Sequence, residues 1–240
     1  MSALKEFRRS CVDKIIKVLD KTIPSRAERD HGTLCFSQTG EDGILNCFLP
    51  SQGFYIDVGA HHPLRYSNTH MLYRRGWRGI NIDPTPGSMT TFDKFRQRDT
   101  NLEIAISRST KKRRLYVFEE GGYNTFDKKT ANGLVRNKKT QLLMSRVVPC
   151  LSLKEVCRKY VPTGQNIGLL TVDAEGHDVD ILESHDWVNY RPTVVVAEQH
   201  HQLGKWKNPT SFLRKRGYSL VGQTPFSVIF QDTNPSSRKE

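Results

Sequence analysis

Short apolar runs alternate with helix-period segments along the chain from Gly53 onward. This alternation is typical of β-α-β units and predicts a mostly parallel sheet with helices on both faces. The predicted strands are residues 54–56, 77–82, 102–106, 115–118, 167–172, 193–197, 218–221 and 226–230. The first predicted helix begins after Ser67. Further predicted helices cover about 88–98, 153–160 and 210–216, and one more contains Val179, Ile181 and Leu182. The last two strands predict a hairpin at the sheet edge.

Three segments depart from this alternation and set the predicted organisation. Residues 1–35 form a predicted basic amphipathic helix and linker, which could pack on the main domain, on a second subunit or on an anionic membrane surface. Residues 36–232 form the predicted α/β domain. Within it, residues 111–148 are polar and rich in lysine and glycine, and they predict an insertion or lid near the site. Residues 233–240 are a predicted disordered tail.

The amino-acid composition bears on the partners and the cellular location of the protein more than on its reaction. The 240 residues carry a formal charge of +12, which fits an acidic partner (a phosphate-bearing lipid or nucleotide, an anionic glycan or a nucleic acid) and equally a solvated basic surface without a partner. The five cysteines form no C-x-x-C pair, and no apolar stretch reaches the ~20 residues that span a bilayer. We therefore expect a cytoplasmic protein, with peripheral membrane contact left open and the oligomeric state undetermined.

Acidic residues close four of the predicted strands. Asp57, Asp83 and Asp173 each follow an apolar run, and Glu198 follows a fourth. Ligands of open parallel sheets bind beyond the carboxyl ends of the strands, where these acids would share one rim. Carboxylates are costly there unless they are solvated or paired, so the pattern favours a ligand site.

The loop after the first strand indicates which ligand. Gly59 permits a sharp turn and a close approach of a ligand to the backbone, and Asp83 follows it by roughly 20 to 25 residues, where an acid can accept hydrogen bonds from ribose hydroxyls. The loop lacks the G-x-G-x-x-G pattern that cradles a pyrophosphate. An adenosine ligand without pyrophosphate is therefore favoured, S-adenosylmethionine over NAD.

Several motifs together resemble one family, the FkbM family of S-adenosylmethionine-dependent methyltransferases. The resemblance covers about residues 36–230 and rests on SQTGED (37–42), FYIDVGA (54–60), SNT (67–69), GWRG (76–79), IDP (82–84) and VDAEGHD (172–178). It implies the Rossmann-like class I methyltransferase fold, with seven strands and an antiparallel strand from the C-terminal hairpin. It also implies O-methylation of a hydroxyl, first of all on a sugar of a polysaccharide, glycolipid, glycosylated natural product or nucleotide sugar.

The resemblance also implies roles for matched residues. Asp57 and Gly59, with Ala60, would hold the methionine and ribose portion, and Asp83 the ribose hydroxyls. Asp173 would lie near the amino group or the transferred methyl. Further predicted cofactor-binding residues are Gln38, Asp42 and Asn68. The acid that commonly ends the Asp-x-Glu-Gly motif is Asp178 here, after His177, which puts the role of Asp178 in doubt.

A sugar hydroxyl attacks poorly without a base, so catalytic groups are expected at the same rim. Asp173 and Glu198 are predicted to line the acceptor site, and the candidate bases are Glu175, His177 and His200. Asp173, Glu175, Glu198 and His200 also resemble a ligand set for Mg²⁺ or Mn²⁺; the metal prediction is Asp173, Glu198 and His200. Predicted substrate contacts are His61, His62, Asn124, Thr125 and His200, although the two histidines after Ala60 could equally shape the turn.

Two other functions remain open on the sequence. A nucleic-acid methyltransferase would share the sheet and the basic charge, but aromatic stacking surfaces would be expected, and Asp173-Ala174-Glu175-Gly176 is not a tetrapeptide of that type. A cofactor-binding scaffold without activity would bind the cofactor and not turn over.

Overall fold

The computed structural model describes residues 34–109, 111–199 and 208–234. Within them lie strands β1 (Phe54–Val58), β2 (Arg78–Ile82), β3 (Thr100–Leu102), β4 (Ala105–Ile106), β5 (Arg113–Phe118), β6 (Leu142–Val148), β7 (Cys150–Leu151), β8 (Leu169–Val172), β9 (Val194–Glu198), β10 (Tyr218–Gln223) and β11 (Ser227–Asp232). The helices are α1 (Glu41–Leu45), α2 (His70–Arg74), α3 (Ser88–Phe95), α4 (Lys128–Arg136), α5 (Leu153–Tyr160), α6 (Asp178–Glu183) and α7 (Pro209–Arg214). A 3₁₀ turn covers Gly121–Tyr123.

Seven strands form one sheet in the order β10-β11-β9-β8-β1-β2-β3. Strands β9, β8, β1, β2 and β3 pair in parallel, whereas β11 runs antiparallel to both β9 and β10. The predicted fold, a mostly parallel α/β sheet with an antiparallel strand from the C-terminal hairpin, is confirmed. Because β1 and β8 are adjacent at the centre, the loops that follow them emerge side by side.

Alternation along the central strands separates two cores. Ile56 and Val58 of β1 pack with residues of α5, α6 and α7, while Tyr55 packs with Leu45 of α1 and Leu72 of α2 on the other face. Successive side chains of a strand point to opposite faces, so a strand buried on both sides is apolar at nearly every position. Helices therefore cover both faces, as predicted.

Local signals fix several helix ends. Ser152 and Glu155 form the predicted capping box at the start of α5. Gly76, with φ of 96°, follows α2 as predicted. Asn208 caps α7, and Pro209 occupies its first turn, where a missing N–H costs nothing.

Two predictions on the secondary structure are wrong. The predicted strand 102–106 is split: β3 joins the main sheet, and β4 turns away to pair with β7. The insertion 111–148 was expected to hold one strand, but it forms an antiparallel pair, β5 and β6, and the helix α4, which Asp127 caps through the amide of Thr130. The nearly continuous exposure of β6 leaves this strand without an apolar-polar alternation.

Some predictions lie outside the described residues. The basic helix in 1–35 falls almost wholly on residues 1–33, and most of the tail, 235–240, is also outside them. In the part of the chain that the structure describes, no helix has the length and apolar character required to cross a membrane.

Candidate active site

The loops after β1 and β8 touch each other at Gly59. This residue has a φ of 80°, in the left-handed region that favours glycine. A Cβ at this position would lie 1.7 Å from the carbonyl oxygen of Asp173, and the Asp173 amide donates to Val58 at 2.9 Å. Only glycine lets the loop that carries the predicted cofactor contacts lie directly against the loop that carries Asp173.

Asp57 lies inside the protein at the end of β1. Its carboxylate accepts a hydrogen bond from the Thr69 hydroxyl at 2.7 Å. Burial raises the pKa of Asp57 to about 6, and the Thr69 hydrogen bond and the positive charge of Arg96 act against this shift. The fully buried Arg96 donates to the Pro63 carbonyl and to the Ser67 hydroxyl, both at 3.0 Å. Asp57 therefore belongs to a polar network that fixes the segment after Ala60.

Asp83 directly follows β2 and has one backbone amide on each carboxylate oxygen. The amide of His61 donates to Oδ2 at 3.0 Å, and that of Thr85 donates to Oδ1 at 2.8 Å. An ionised carboxylate accepts about four hydrogen bonds, so these two amides leave acceptor capacity. Asp83 is thus oriented at the strand end with lone pairs left for a diol.

The insertion reaches the strand ends through its 3₁₀ turn. A Cβ added at Gly121 would lie 3.5 Å from His61, and one at Gly122 would lie 3.6 Å from Glu175. Beside the turn, the Asn124 amide donates to the Thr85 hydroxyl at 3.1 Å and accepts from the Phe118 amide at 2.9 Å. The 3₁₀ turn of the insertion therefore lies beside His61 of the β1 loop and Glu175 of the β8 loop, and its role as a lid stays a prediction.

Four acids gather at the ends of β8 and β9. Oxygen atoms of Asp173, Glu175 and Glu198 all lie within 4.8 Å of one another. Asp178, at the start of α6, accepts a hydrogen bond from the Glu198 amide at 3.2 Å and is only 3% exposed. We refer to Asp173, Glu175, Asp178 and Glu198 as the acidic cluster.

Burial, and after it the nearness of like charges, makes this cluster hold protons. Burial, followed by the charge of Asp173, raises the pKa of Glu175 to about 7 and that of Asp178 well above its usual range. The pKa of Glu198 is also raised, by burial first and then by the neighbouring acids, and Glu198 shares a hydrogen bond with Asp173. A hydrogen bond between two carboxyl groups requires a proton on one of them. The cluster therefore holds protons more readily than separate, solvated carboxylates do.

The backbone at Glu175 is held in an uncommon conformation. Its φ is 50°, and the next residue, Gly176, has a φ of 88°. A non-glycine residue in the left-handed region costs on the order of 1 kcal/mol and persists where its surroundings fix it. The strain coincides with the acid whose pKa lies near neutrality, which supports a chemical role for Glu175.

His177 has its described contacts with the insertion and not with the acidic cluster. Its ring meets that of Phe126 edge to face, with centroids 6.4 Å apart. It lines a pocket of about 280 Å³ together with residues such as Arg108, Arg113 and Asp180. Burial and then the charge of Arg113 lower the pKa of His177.

The two histidines after Ala60 differ in their contacts. Nδ1 of His62 accepts from the amides of Leu64 and Arg65, both at 3.1 Å, so His62 shapes the turn. His61 is exposed, has a φ of 52° and lies beside Gly121. Of these two histidines, His61 is therefore the one that lies beside the 3₁₀ turn of the insertion.

The remaining predicted residues are spread along the rim. Asn68 donates to the Thr171 hydroxyl on β8 at 3.0 Å, and Gln38 is exposed. The carboxylate of Asp42 accepts from Phe36, Ser37 and Gly43 and so holds its own loop. The Thr125 backbone forms an isolated bridge with Tyr116, which places Thr125 beside β5 rather than in the turn. His200 lies outside the described residues.

Sequence reasoning missed two parts of this site. Asp178 was left without a role, although its position five residues after Asp173 returns it to the same rim through the loop before α6. The pair Gly121 and Gly122 lacked an assigned role, although adjacent glycines in a polar insertion are a signal for close approach of a backbone.

Comparisons with known proteins place these features in a known context. The sequence model of the methyltransferase FkbM domain matches residues 57–220. No curated protein sequence matches the chain. Among solved structures, the chain is similar to a TehB-like SAM-dependent methyltransferase from Corynebacterium glutamicum ATCC 13032 Kitasato, with 11% identity, a TM-score of 0.40, and coverage of 87% of this chain and 94% of that chain. The matched residues 57–220 contain the Gly59 loop, Asp83 and the acidic cluster.

Proposed function

The chain belongs to the FkbM methyltransferase family, and we propose that it transfers the methyl group of S-adenosylmethionine to a hydroxyl of a sugar-containing acceptor. The acceptor class comprises polysaccharides, glycolipids and nucleotide sugars. One observation carries the proposal: the acidic cluster lies directly against the glycine loop after β1, so a proton acceptor and a predicted cofactor loop share one wall. The four described cysteines are free thiols, which supports a reducing, cytoplasmic setting.

The residues present fit an adenosyl cofactor. Asp83 is held by two backbone amides with acceptor capacity left for the two ribose hydroxyls. Gly59 lets the loop after β1 lie directly against the loop after β8, and Asn68 donates to the Thr171 hydroxyl on β8. When bound, the cofactor supplies an electrophilic methyl carbon, to which the acceptor oxygen bonds while the carbon–sulfur bond breaks and the electron pair stays on sulfur.

The acidic cluster supplies what the acceptor needs. Asp173 and Glu198 would accept or donate hydrogen bonds to sugar hydroxyls and orient the nucleophilic oxygen. Glu175, with its pKa raised to about 7, would take the hydroxyl proton as the oxygen attacks. A base is most effective when its pKa is close to the working pH. The 3₁₀ turn of the insertion lies beside Glu175.

A divalent cation is the alternative way to neutralise the cluster. Asp173, Glu175 and Glu198 present oxygens within 4.8 Å of one another, and carboxylate oxygens are the ligands that Mg²⁺ and Mn²⁺ prefer. The three acids would hold the ion, which would lower the pKa of the acceptor hydroxyl. The predicted third ligand, His200, lies outside the described residues.

Replacing Asp83 by alanine should weaken binding of S-adenosylhomocysteine by roughly ten- to a hundredfold, because hydrogen bonds from two hydroxyls to a charged group are lost. Isothermal titration calorimetry measures the affinity. Asp93→Ala, which removes an exposed carboxylate from α3, is the matched control and should bind as the unmodified protein does. Equal affinity of the Asp83 and Asp93 variants would contradict the assigned position of the ribose.

A labelled-methyl transfer assay tests the acceptor. Glycan, glycolipid, nucleotide-sugar and RNA pools are incubated with the protein and labelled cofactor, with and without a chelator. We expect label in a sugar-containing pool that persists in the chelator. Label that disappears with the chelator would establish the cation, label in RNA would favour a nucleic-acid methyltransferase, and cofactor binding without transfer to any pool would favour the scaffold.

A further inference from the structure

The insertion exposes an unusual amount of apolar side chain along β6. Of the twelve large hydrophobic residues that are exposed in the described part of the chain, six lie in the insertion: Tyr123, Val135, Leu142, Leu143, Met144 and Val147. Leu143 is 55% exposed, Met144 48% and Val147 47%. Single exposed apolar residues are ordinary, but Leu142, Leu143, Met144 and Val147 lie on one short strand and occupy both of its faces, and we call these four side chains the apolar patch.

The packing of the hairpin shows why this patch faces outward. Leu115 and Val117 of β5 are buried against Ala105, Val148 and Cys150, so the inner strand is the one anchored to the domain. Strand β5 pairs with β6 on one edge and with Thr125 on the other. Among the described residues, β6 pairs with β5 alone and is the outer edge of its sheet. The side chains of β6 are therefore presented beyond the body of the domain.

Basic residues are frequent in the insertion and lie next to the apolar patch in the hairpin register and in the sequence. Residues 111–148 contain ten lysines and arginines against three acids, the densest positive charge in the described chain. Arg114 lies opposite Val147 in the hairpin register, and Lys138 and Lys139 precede β6 by a few residues. Exposed aliphatic side chains near basic ones are the composition of a surface that lies in the headgroup region of an anionic bilayer.

Charge and chemistry separate this occupant from two others. A second copy of the chain would bring two strongly positive insertions together, and like charges across an interface oppose association. A nucleic acid would match the charge but not the side chains, because single strands are held on aromatic faces and most of these residues are aliphatic. An anionic lipid surface satisfies both the charge and the apolar side chains.

The patch is connected to the active site by a short chain of contacts. Leu142 at the start of β6 lies opposite Phe118, whose amide donates to Asn124. Asn124 follows the 3₁₀ turn, and Gly122 in that turn lies beside Glu175. A bilayer bound to β6 would therefore lie near the place where the insertion contacts the acidic cluster.

We propose that the insertion docks the protein on an anionic phospholipid bilayer, with the apolar residues of β6 in the interface and the neighbouring lysines and arginines against the headgroups. Resting on the function proposed above, this docking selects the glycolipid among the sugar-containing acceptors, because a lipid-linked sugar would be presented next to the insertion.

Vesicle co-sedimentation with the full chain tests the docking. The probes are phosphatidylcholine vesicles with and without phosphatidylglycerol. We expect binding only to the anionic vesicles, and weaker binding as NaCl is raised, because screening shortens the range of surface charge to about 8 Å at physiological ionic strength. Leu143→Ser combined with Met144→Ser should lower the partition coefficient roughly tenfold. Lys138→Ser combined with Lys139→Ser should lower it by roughly tenfold as well.

Matched controls keep the test specific. Val188→Ser removes an 85% exposed apolar side chain far along the sequence from the insertion, and Lys94→Ser removes a lysine of α3; both should bind vesicles as the unmodified protein does. Unchanged S-adenosylhomocysteine binding shows that the variants are folded and leaves the proposed function untouched. Full vesicle binding by the Leu143 and Met144 double variant would overturn the proposal, as would a dimer, measured by light scattering without vesicles, that this variant abolishes.

Discussion

Replacing Asp173 by asparagine should lower methyl transfer by roughly a hundred- to a thousandfold, because the charge that orients the acceptor and supports developing positive charge is removed. The asparagine keeps a side chain able to hydrogen-bond with Glu198, so the loop after β8 should keep its structure. Initial rates with labelled cofactor at saturating acceptor give kcat, and calorimetry with S-adenosylhomocysteine gives cofactor affinity.

The same variant should be at least as stable as the unmodified protein. Glu175, Asp178 and Glu198 all have pKa values raised in part by the charge of Asp173. A carboxyl group whose folded-state pKa is raised contributes stability that is present at low pH and is lost as pH rises through that pKa. Removing one like charge reduces this loss, so the gain in melting temperature should be larger at alkaline than at acidic pH.

Turnover of the Asp173→Asn variant close to that of the unmodified protein would remove Asp173 from the reaction. Asp93→Asn is the surface control.

Glu175→Gln should lower kcat/KM by roughly a hundred- to ten-thousandfold and remove its dependence on pH near neutrality. In the unmodified protein, transfer should rise with pH as Glu175 loses its proton, with a midpoint at or somewhat below 7, because its pKa is raised to about 7 and the exposed part of the side chain is screened by water. Profiles of kcat/KM against pH, measured in a chelator, give the midpoint.

His177→Gln is the matched comparison for the base. The structure separates His177 from the acidic cluster in its contacts, and its pKa is lowered by burial and by Arg113. We therefore expect this variant to keep the rising limb and most of its rate. A profile that loses its limb in the His177 variant and keeps it in the Glu175 variant would exchange their roles.

The sheet and its acidic rim were accessible from the sequence for one physical reason. Parallel strands deliver their carboxyl ends to the same edge, so an acid that closes an apolar run has a predictable position. Asp83, Asp173 and Glu198 lie at such ends in the structure. The alternation of apolar segments predicted this without any knowledge of side-chain contacts.

The insertion could not be predicted in the same way. Strand β6 exposes six of its seven residues, so no apolar-polar alternation marks it, and its pairing with β5 joins residues far apart in the chain, such as Arg113 and Val148. Long-range pairing depends on tertiary packing that local patterns do not contain. The position of the 3₁₀ turn beside Glu175 depends on that pairing, so local sequence patterns could not predict it either.

His177 shows the limit of placing chemistry by residue type. Its ordinary pKa near neutrality made it a natural candidate base, but at the start of α6 its ring turns toward Phe126 and Arg113. Glu175, a poor base in water, gains its suitable pKa from burial and from Asp173. The environment, which the sequence does not display, decides between the two.

The direct contact between Gly59 and the Asp173 backbone has a thermodynamic consequence. Because no side chain lies between the two loops at this contact, a displacement of one loop acts directly on the other. A ligand that orders one loop therefore reduces the entropy that is lost when a second ligand orders the other loop. We expect the methyl donor and the methyl acceptor to bind with positive cooperativity, each raising the affinity of the other by the same factor.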